Sequence, residues 1–224
     1  MTSVQLGRPS GRPLRTAAIG GLAFTVLYLV HRILQGAGPQ SSTATAVTDY
    51  NLTHRGSLLA SEVAVGLGFL AFIPFLAALV PIIWRAGQET LAVALAISGG
   101  AFLAVGFAST AAETALIAVA DSNQPAAVLA LNQLQGRIPV VWTITALVAV
   151  LSLAVYRTSL LWPRVGVVGL LAAAFFLLGS VFSVLGRAPE GGSSLFGVGL
   201  VVVWMLVVSG GLWRTASQGT TPGP

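Results

Sequence analysis

The sequence predicts an all-α protein with several transmembrane helices. Its 224 residues are 55% hydrophobic and 8% charged, and the mean hydropathy is +0.89. A soluble fold of this composition would have too little polar surface to cover its core. The apolar stretches are also long enough to cross a hydrocarbon core of roughly 30 Å. We therefore expect a polytopic membrane protein with six transmembrane helices and both termini in the cytoplasm.

The composition excludes several kinds of chemistry. All eleven basic residues are Arg, so no lysine can form a Schiff base with retinal or pyridoxal phosphate. Cys is absent, which removes disulfides, thiolate metal sites and cysteine nucleophiles. Because the chain has only two His, we expect no zinc site, no haem and no other cofactor. The net charge of +5 comes from scattered Arg residues, so the expected partner is the lipid bilayer and not nucleic acid.

In chain order, a transmembrane domain lies between two polar tails. Residues 1–15 contain Arg, Pro and Gly without an apolar face, which is typical of a disordered tail. The transmembrane domain is predicted at residues 16–214, and residues 215–224 form a second disordered tail. Both tails are expected in the cytoplasm. The predicted spans are residues 16–36, 57–83, 91–118, 137–156, 165–186 and 194–213.

Polar residues mark one face of two predicted helices. In the first span, a stripe at i, i+3, i+4 and i+7 covers the last two turns. Its members are Tyr28, His31, Arg32 and Gln35. In the third span, small residues such as Gly99 and Gly106 share a face with Glu113, which allows close helix packing beneath the carboxylate. Residues 38–55, between the first two spans, are rich in Ser and Thr and are predicted to form a polar loop.

A short helix is predicted between the third and fourth spans, within residues 121–136. Pro125 suits its first turn, and Gly136 suits the position after its end. At about 11 residues it is too short to cross a bilayer. We expect it to lie in the membrane interface or to re-enter the membrane, presenting Asn132, Gln133 and Gln135 to a polar surrounding.

The orientation follows from the distribution of Arg, because cytoplasmic loops carry the excess of positive charge. With both termini inside, seven Arg residues are cytoplasmic: Arg8, Arg12, Arg15, Arg85, Arg157, Arg164 and Arg214. Three are outside: Arg55, Arg137 and Arg187. Aromatic residues then meet at the cytoplasmic interface, namely Trp84, Tyr156, Trp162 and Trp213. We therefore expect a multi-pass protein of the cell membrane.

Five ionisable groups fall at a similar depth near the extracytoplasmic side of this topology, counting about 1.5 Å per helical residue. They are His31, Arg32, Glu62, Glu113 and Arg137. An unpaired charge there would cost several kcal/mol, so we expect these groups to face inward and to pair. Arg32 and Arg137 are the natural partners of the two carboxylates. The predicted ligand-binding residues are Tyr28, His31, Arg32, Glu62, Glu113 and Arg137.

Three functions fit this layer of charged groups. It could bind a lipid or another small amphiphile between the helices. It could be the site of a membrane-embedded enzyme in which Glu62 and Glu113 act as acid and base on a hydrophobic substrate such as an isoprenoid. It could also be a purely structural layer of ion pairs in a scaffold or accessory subunit. The sequence leaves these alternatives open, together with the identity of any ligand and the oligomeric state.

Two features carry a family resemblance: Glu62 and Glu113 in the second and third helices, and the segment YRTSLLWPR at 156–164. They resemble an uncharacterised bacterial family of six- or seven-helix membrane proteins, a domain of unknown function. The chain departs from the family pattern at Thr110, where the family has Arg in Arg-x-x-Glu, and at the additional Trp162. The resemblance implies the fold and no activity. We expect the membrane to be a bacterial inner membrane.

Overall fold

The computed structural model describes residues 11–39, 41–122, 124–184 and 192–218. These residues form eight α-helices and one 3-10 turn, without a strand. The helices are α1 Gly11–Gln35, α2 Ala44–Thr53, α3 Arg55–Arg85, α4 Glu89–Val119, α5 Pro125–Arg137, α6 Val140–Thr158, α7 Pro163–Val184 and α8 Gly192–Gln218. The 3-10 turn, Ala120–Ser122, follows α4. The predicted all-α class is therefore confirmed for the described residues.

Among the described residues, five helical stretches are long and apolar enough to cross a membrane. They are Gly11–Gln35, Arg55–Arg85, Glu89–Ser122, Pro125–Thr158 and Gly199–Gln218. A shorter apolar stretch, Pro163–Gly179, lies in α7. Large apolar side chains such as Ile33 and Val63 are more than half exposed, at 77% and 63%. Side chains of this kind suit contact with lipid, and the helices have the pattern of a multi-pass membrane protein.

The first and last helices extend beyond the predicted spans. Residues 11–15 belong to α1 and residues 215–218 belong to α8, so the prediction of disordered tails is wrong at these positions. Pro13 is compatible with helix here because the first-turn N–H groups have no partner within the helix. Residues 1–10 and 219–224 of the predicted tails lie outside the described residues.

The predicted polar loop at 38–55 contains a helix, α2. Thr43 caps its N-terminus, since its side-chain oxygen accepts from the backbone N–H of Ala46. Val47 and Asn51 lie one turn apart and are both buried, which gives α2 one interior face. The predicted short helix is present as α5, which has 13 residues and packs against α2.

The contacts divide the chain into two compact units. Among the described residues, unit 1 comprises the N-terminal half of α1, the adjoining halves of α3 and α4, and helices α6, α7 and α8. Its core includes Trp204, whose indole N–H donates to the carbonyl of Val165 at 3.0 Å. Phe72 stacks on Phe75 with ring centroids 4.9 Å apart and meets Phe102 edge-on. Unit 1 is thus built mainly from apolar helix packing.

Unit 2 comprises the C-terminal half of α1, α2, the N-terminal half of α3, the C-terminal half of α4, the 3-10 turn and α5. Val47, Leu116 and Val128 form a small apolar core that joins α2, α4 and α5. Phe69 of α3 packs against Phe24 of α1, with ring centroids 6.2 Å apart. These contacts hold the short helices α2 and α5 against the ends of the longer ones.

Glycines permit close helix contacts at some of the predicted packing positions. A Cβ atom at Gly99 would lie 2.5 Å from a methyl carbon of Leu76 within unit 1, and one at Gly106 would lie 2.5 Å from the Phe69 ring within unit 2. A larger residue at either position would therefore force the Leu76 or Phe69 side chain to move. Gly179 of α7 differs, because a Cβ atom there would meet nothing within 4 Å.

Candidate functional site

A polar cavity of about 240 Å³ lies within unit 2. It is lined by residues of α1 and the chain that follows it, together with residues of α2, α3, α4 and α5. Its lining residues are Arg32, Gln35, Gly36, Ala37, Gly38, Pro39, Tyr50, Asn51, Leu58, Glu113, Leu116, Asn132 and Gln135. Charged and amide side chains predominate over apolar ones in this lining. We call this space the polar cavity.

A chain of hydrogen bonds connects the two charged residues of the cavity. Arg32 donates to the side-chain oxygen of Gln35 at 2.5 Å, and the Gln35 amide donates to Glu113 Oε1 at 2.9 Å. The amide of Gln135 donates to Glu113 Oε2 at 2.8 Å. Each carboxylate oxygen therefore accepts one hydrogen bond, and the network joins α1, α4 and α5. We call Arg32, Gln35, Glu113 and Gln135 the bridge.

Tyr50 of α2 fixes the end of α1 from which Gln35 projects. The helix terminates at Gly36, whose φ of +66° is in the left-handed region that favours glycine. The Tyr50 hydroxyl donates to the carbonyl of Gln35 and accepts from the N–H of Gly38. This capping contact satisfies a carbonyl that lacks a partner within the helix. It also places the Gln35 side chain between Arg32 and Glu113.

The bridge leaves hydrogen-bonding capacity unused in the cavity. Arg32 has five N–H donors, and in the part of the chain that the structure describes only one hydrogen bond from them is present. Each oxygen of Glu113 keeps a lone pair beyond its glutamine bond. Asn132 lines the cavity, and its side-chain amide makes no hydrogen bond with another described residue. A polar molecule in the cavity would thus meet free donors and acceptors.

A second polar cluster is buried in unit 2 and does not line the cavity. Glu62 and His31 are only 6% and 8% exposed, and His31 Nδ1 lies 3.7 Å from Glu62 Oε1. Ser61 Oγ lies 2.7 Å from His31 Nδ1 and donates to the His31 carbonyl at 3.1 Å. We call His31 and Glu62 the buried pair.

The predicted site residues are therefore distributed over different places. Arg32 and Glu113 line the polar cavity, whereas His31 and Glu62 form the buried pair. Tyr28 lies half-buried between Phe24 and His31, with ring centroids 6.0 and 5.8 Å away, and does not line the cavity. The structure thus brings together two pairs of predicted residues and leaves Tyr28 beside the second.

The predicted direct pairing of Arg32 and Arg137 with the carboxylates is wrong. Arg32 reaches Glu113 through Gln35, and the partner of Glu62 is His31. Arg137 is the last residue of α5 and does not open the next helix. It is exposed and makes no ion pair with another described residue. At this helix end a cation is favoured by the helix dipole and needs no carboxylate partner.

Sequence reasoning did not assign Gln35, Gln135 and Tyr50 to the site. Gln35 stands on the same stripe as His31 and Arg32, and Gln135 lies on the predicted short helix, so both carried a usable signal. The sequence does not predict a site role for a neutral amide, because burying an amide costs less free energy than burying a charge and so gives a weaker indication of a partner. Tyr50 carried no signal, since α2 was predicted to be loop.

No protein-family model, curated protein or solved structure matches this chain. The family resemblance drawn from the sequence stays a prediction. Among the described residues, no group of three or more His, Asp or Glu side chains is placed to hold a metal ion. The geometry of the polar cavity and the buried pair is therefore the basis for a functional proposal.

Proposed function

We propose that this protein is a multi-pass membrane protein that binds the polar head group of an amphiphile in the polar cavity. The observation that carries the proposal is the pairing of Arg32 and Glu113 across one small cavity, with hydrogen-bonding capacity left on both. The two opposite charges are separated by a neutral amide, so they present one cationic and one anionic end. This arrangement is complementary to a zwitterion.

The ligand chemistry follows from the charges and the volume. A primary ammonium group would donate to Glu113, and a phosphate or carboxylate would accept from Arg32. About 240 Å³ holds the equivalent of roughly eight water molecules at about 30 Å³ each. Pockets for drug-sized ligands are larger, about 300–1,000 Å³. The cavity therefore fits a head group, and acyl chains would remain on apolar surface such as exposed Ile33.

The acid–base alternative receives less support from this geometry. Two carboxylates that flank a substrate would both have to reach it. Glu113 lines the polar cavity, but Glu62 does not. A purely structural role would account for the bridge, but not for the unused donors of Arg32 and Asn132. Head-group binding accounts for both features.

The proposal also includes the finer topology. We place six spans across the bacterial inner membrane with both termini in the cytoplasm, because seven Arg residues then lie inside and three outside. The polar cavity, which includes the end of α1, then lies near the extracytoplasmic face. A head group would reach it from the outer leaflet.

Reporter fusions test this topology. A fusion after Gln40 is expected to report export, and a fusion after Ser217 is expected to report the cytoplasm. The reason is that the loops and tails with the excess of Arg stay on the cytoplasmic side. Alkaline phosphatase and a fluorescent protein provide complementary readouts at each position. Cytoplasmic signal at Gln40 or export at Ser217 would contradict the proposed orientation.

The binding proposal is tested with phosphoethanolamine, which combines both charges in one small molecule. We expect it to raise the unfolding temperature of the purified protein, because a ligand that binds only the folded state stabilises it. Ethanolamine alone and phosphate alone should each have a smaller effect, since each meets one end of the cavity. No stabilisation by phosphoethanolamine, together with no lipid in the arm below, would contradict the proposal.

A second arm distinguishes a lipid head group from a free solute. The protein is extracted into nanodiscs containing phosphatidylethanolamine or phosphatidylcholine, and the lipids that remain after delipidation are identified by mass spectrometry. Retained phosphatidylethanolamine would assign the site to a lipid. Binding of phosphoethanolamine without lipid retention would assign it to a soluble zwitterion.

A further inference from the structure

We propose that the end of unit 1 formed by α6, α7 and α8 binds the head group of an anionic phospholipid. The surface consists of three exposed Arg residues with exposed aromatic residues beside them. Its members are Arg157, Arg164, Arg214, Tyr156, Trp162 and Trp213. We call this surface the arginine patch. It shares no residue with the polar cavity of unit 2, so it does not depend on head-group binding there.

A close contact between α6 and α7 brings the first two Arg residues together. A Cβ atom on Gly166 would lie 2.7 Å from the carbonyl oxygen of Ser152 and 2.9 Å from Cβ of Tyr156. Arg157 directly follows Tyr156 in α6, and Arg164 precedes Gly166 by two residues in α7. The two guanidinium groups are therefore carried by adjoining helix ends, on either side of a short turn.

The turn between α6 and α7 also packs against the last turns of α8. A Cβ atom on Gly211 would lie 2.8 Å from a methyl carbon of Leu161, which is buried. Seven residues earlier in α8, the Trp204 indole N–H donates to the carbonyl of Val165. As α8 proceeds, its contacts thus pass from α7 to the turn. Arg214 stands about 4.5 Å beyond Gly211 along the helix axis, at the end where the turn lies.

The three positive charges have no counter-charge in this part of the protein. None of them forms an ion pair or a side-chain hydrogen bond with another described residue. The described residues of α6, α7 and α8 contain no Asp or Glu. The helix dipole favours Arg157, which is in the last turn of α6. Arg164 is the second residue of α7, at the positive end of that helix, where an anion is favoured and a cation is not.

The chemistry of the patch fits a phosphate group. A guanidinium group offers two parallel N–H donors to phosphate oxygens, which makes Arg the preferred residue for this contact. An anionic phospholipid has a phosphate without the ammonium group that a zwitterionic lipid carries. Its net negative charge is therefore complementary to a surface with several Arg residues and no carboxylate.

The surroundings of the patch favour a lipid over a free phosphate ion. Trp162 and Trp213 are 73% and 50% exposed, and such rings are typical of the membrane interface. In the two turns that follow Arg164, α7 exposes a run of apolar side chains, namely Val167, Val168 and Leu171. A lipid would place its head group at the Arg residues and its acyl chains on this apolar face, whereas a free ion would leave that face unused. In the proposed topology the lipid belongs to the cytoplasmic leaflet.

Quenching of tryptophan fluorescence by brominated lipids tests the proposal. The background Trp84→Phe with Trp142→Phe leaves Trp162 and Trp213 as the exposed tryptophans, since Trp204 is buried. In vesicles of mixed composition, brominated phosphatidylglycerol should associate at these two residues at least about tenfold more strongly than brominated phosphatidylcholine. The reason is that each Arg near an anionic surface gives roughly a fivefold gain in affinity.

Two triple variants show whether the preference belongs to the arginine patch. Replacing its three Arg residues by Gln in the same background should remove the preference for phosphatidylglycerol. The matched control loses the same charge from exposed Arg residues of α1 and α3, by Arg12→Gln, Arg15→Gln and Arg85→Gln. This control should keep most of the preference. All six side chains are exposed, so both variants should retain the helical circular dichroism of the parent protein.

A salt series on the unaltered patch provides a measurement that needs no Arg substitution. At about 1 M salt the screening length is about 3 Å, so the preference for phosphatidylglycerol should fall. Equal association of the two lipids at low salt would overturn the proposal and leave an acidic protein segment as the occupant. A preference that high salt does not reduce, that survives loss of the patch, or that both triple variants lose equally would also overturn it. Because no phosphoethanolamine is present, failure here is distinct from failure of binding in the polar cavity.

Discussion

Replacing Glu113 by Gln is expected to weaken phosphoethanolamine binding by about tenfold to hundredfold. A hydrogen bond to a charged group contributes roughly 1.5–3 kcal/mol, and each 1.4 kcal/mol is about tenfold in affinity. The substitution removes the only carboxylate among the residues known to line the polar cavity while keeping the size of the side chain. Isothermal titration calorimetry on the purified variant measures the loss.

The fold should tolerate this substitution. The new amide oxygen can accept from Gln35, which must keep its own oxygen directed at Arg32. The new amide nitrogen then faces Gln135, whose side chain can rotate by half a turn and accept instead of donate. Both contacts of the bridge are retained as neutral hydrogen bonds. The unfolding temperature of Glu113→Gln should therefore fall less than that of a variant in which both hydrogen bonds are also lost.

Phosphate provides the internal comparison for this variant. Arg32 remains and loses its opposite charge in the cavity, so inorganic phosphate should bind Glu113→Gln at least as well as it binds the wild type. Glu89→Gln, with an exposed carboxyl group elsewhere, should change neither affinity. An equal loss of phosphate and phosphoethanolamine binding would indicate general damage to the cavity and would argue against charge recognition.

The long helices were predictable because each depends on a local property of the sequence. An apolar stretch long enough to cross a bilayer has few alternatives to a helix, since its backbone groups must bond to each other. The helix α2 was missed because Ser and Thr dominate the segment and its buried face rests on Val47 and Asn51 alone. Its helical form depends on packing against α5, which is a tertiary contact.

Part of the site was predictable because it too depends on a local property of the sequence, the presence of a charge within an apolar span. Arg32, Glu62 and Glu113 were identified because a charge within a span has a large energetic cost. Their partners were not predictable from depth alone, since depth does not give the rotation of each helix. Arg137 was assigned to the layer on depth, but α5 ends at this residue and its side chain is exposed. Gln35 and Gln135 donate to Glu113, where the sequence predicted Arg partners.

A double-mutant cycle on the two charges of the bridge is expected to separate structural from binding energy. Glu113→Leu should lower the free energy of unfolding by about 2–4 kcal/mol, because Gln35 and Gln135 each lose a charged acceptor and Arg32 loses its counter-charge. Arg32→Leu should cost less, since it removes one hydrogen bond to Gln35. Unfolding by sodium dodecyl sulfate in mixed micelles gives both values.

In the double variant, Arg32→Leu with Glu113→Leu, the free energy of unfolding should fall by about 1–2 kcal/mol less than the sum of the two single losses. Removing one charge leaves the other half-buried without its opposite, whereas removing both leaves only neutral amides, which can bond to each other. Strictly additive losses would mean that Gln35 does not transmit an interaction between Arg32 and Glu113. The stability recovered in the double variant should not restore binding, because neither end of a zwitterion then has a partner. Recovery of stability with phosphoethanolamine binding unchanged would reduce the bridge to a structural element and remove the basis of head-group recognition.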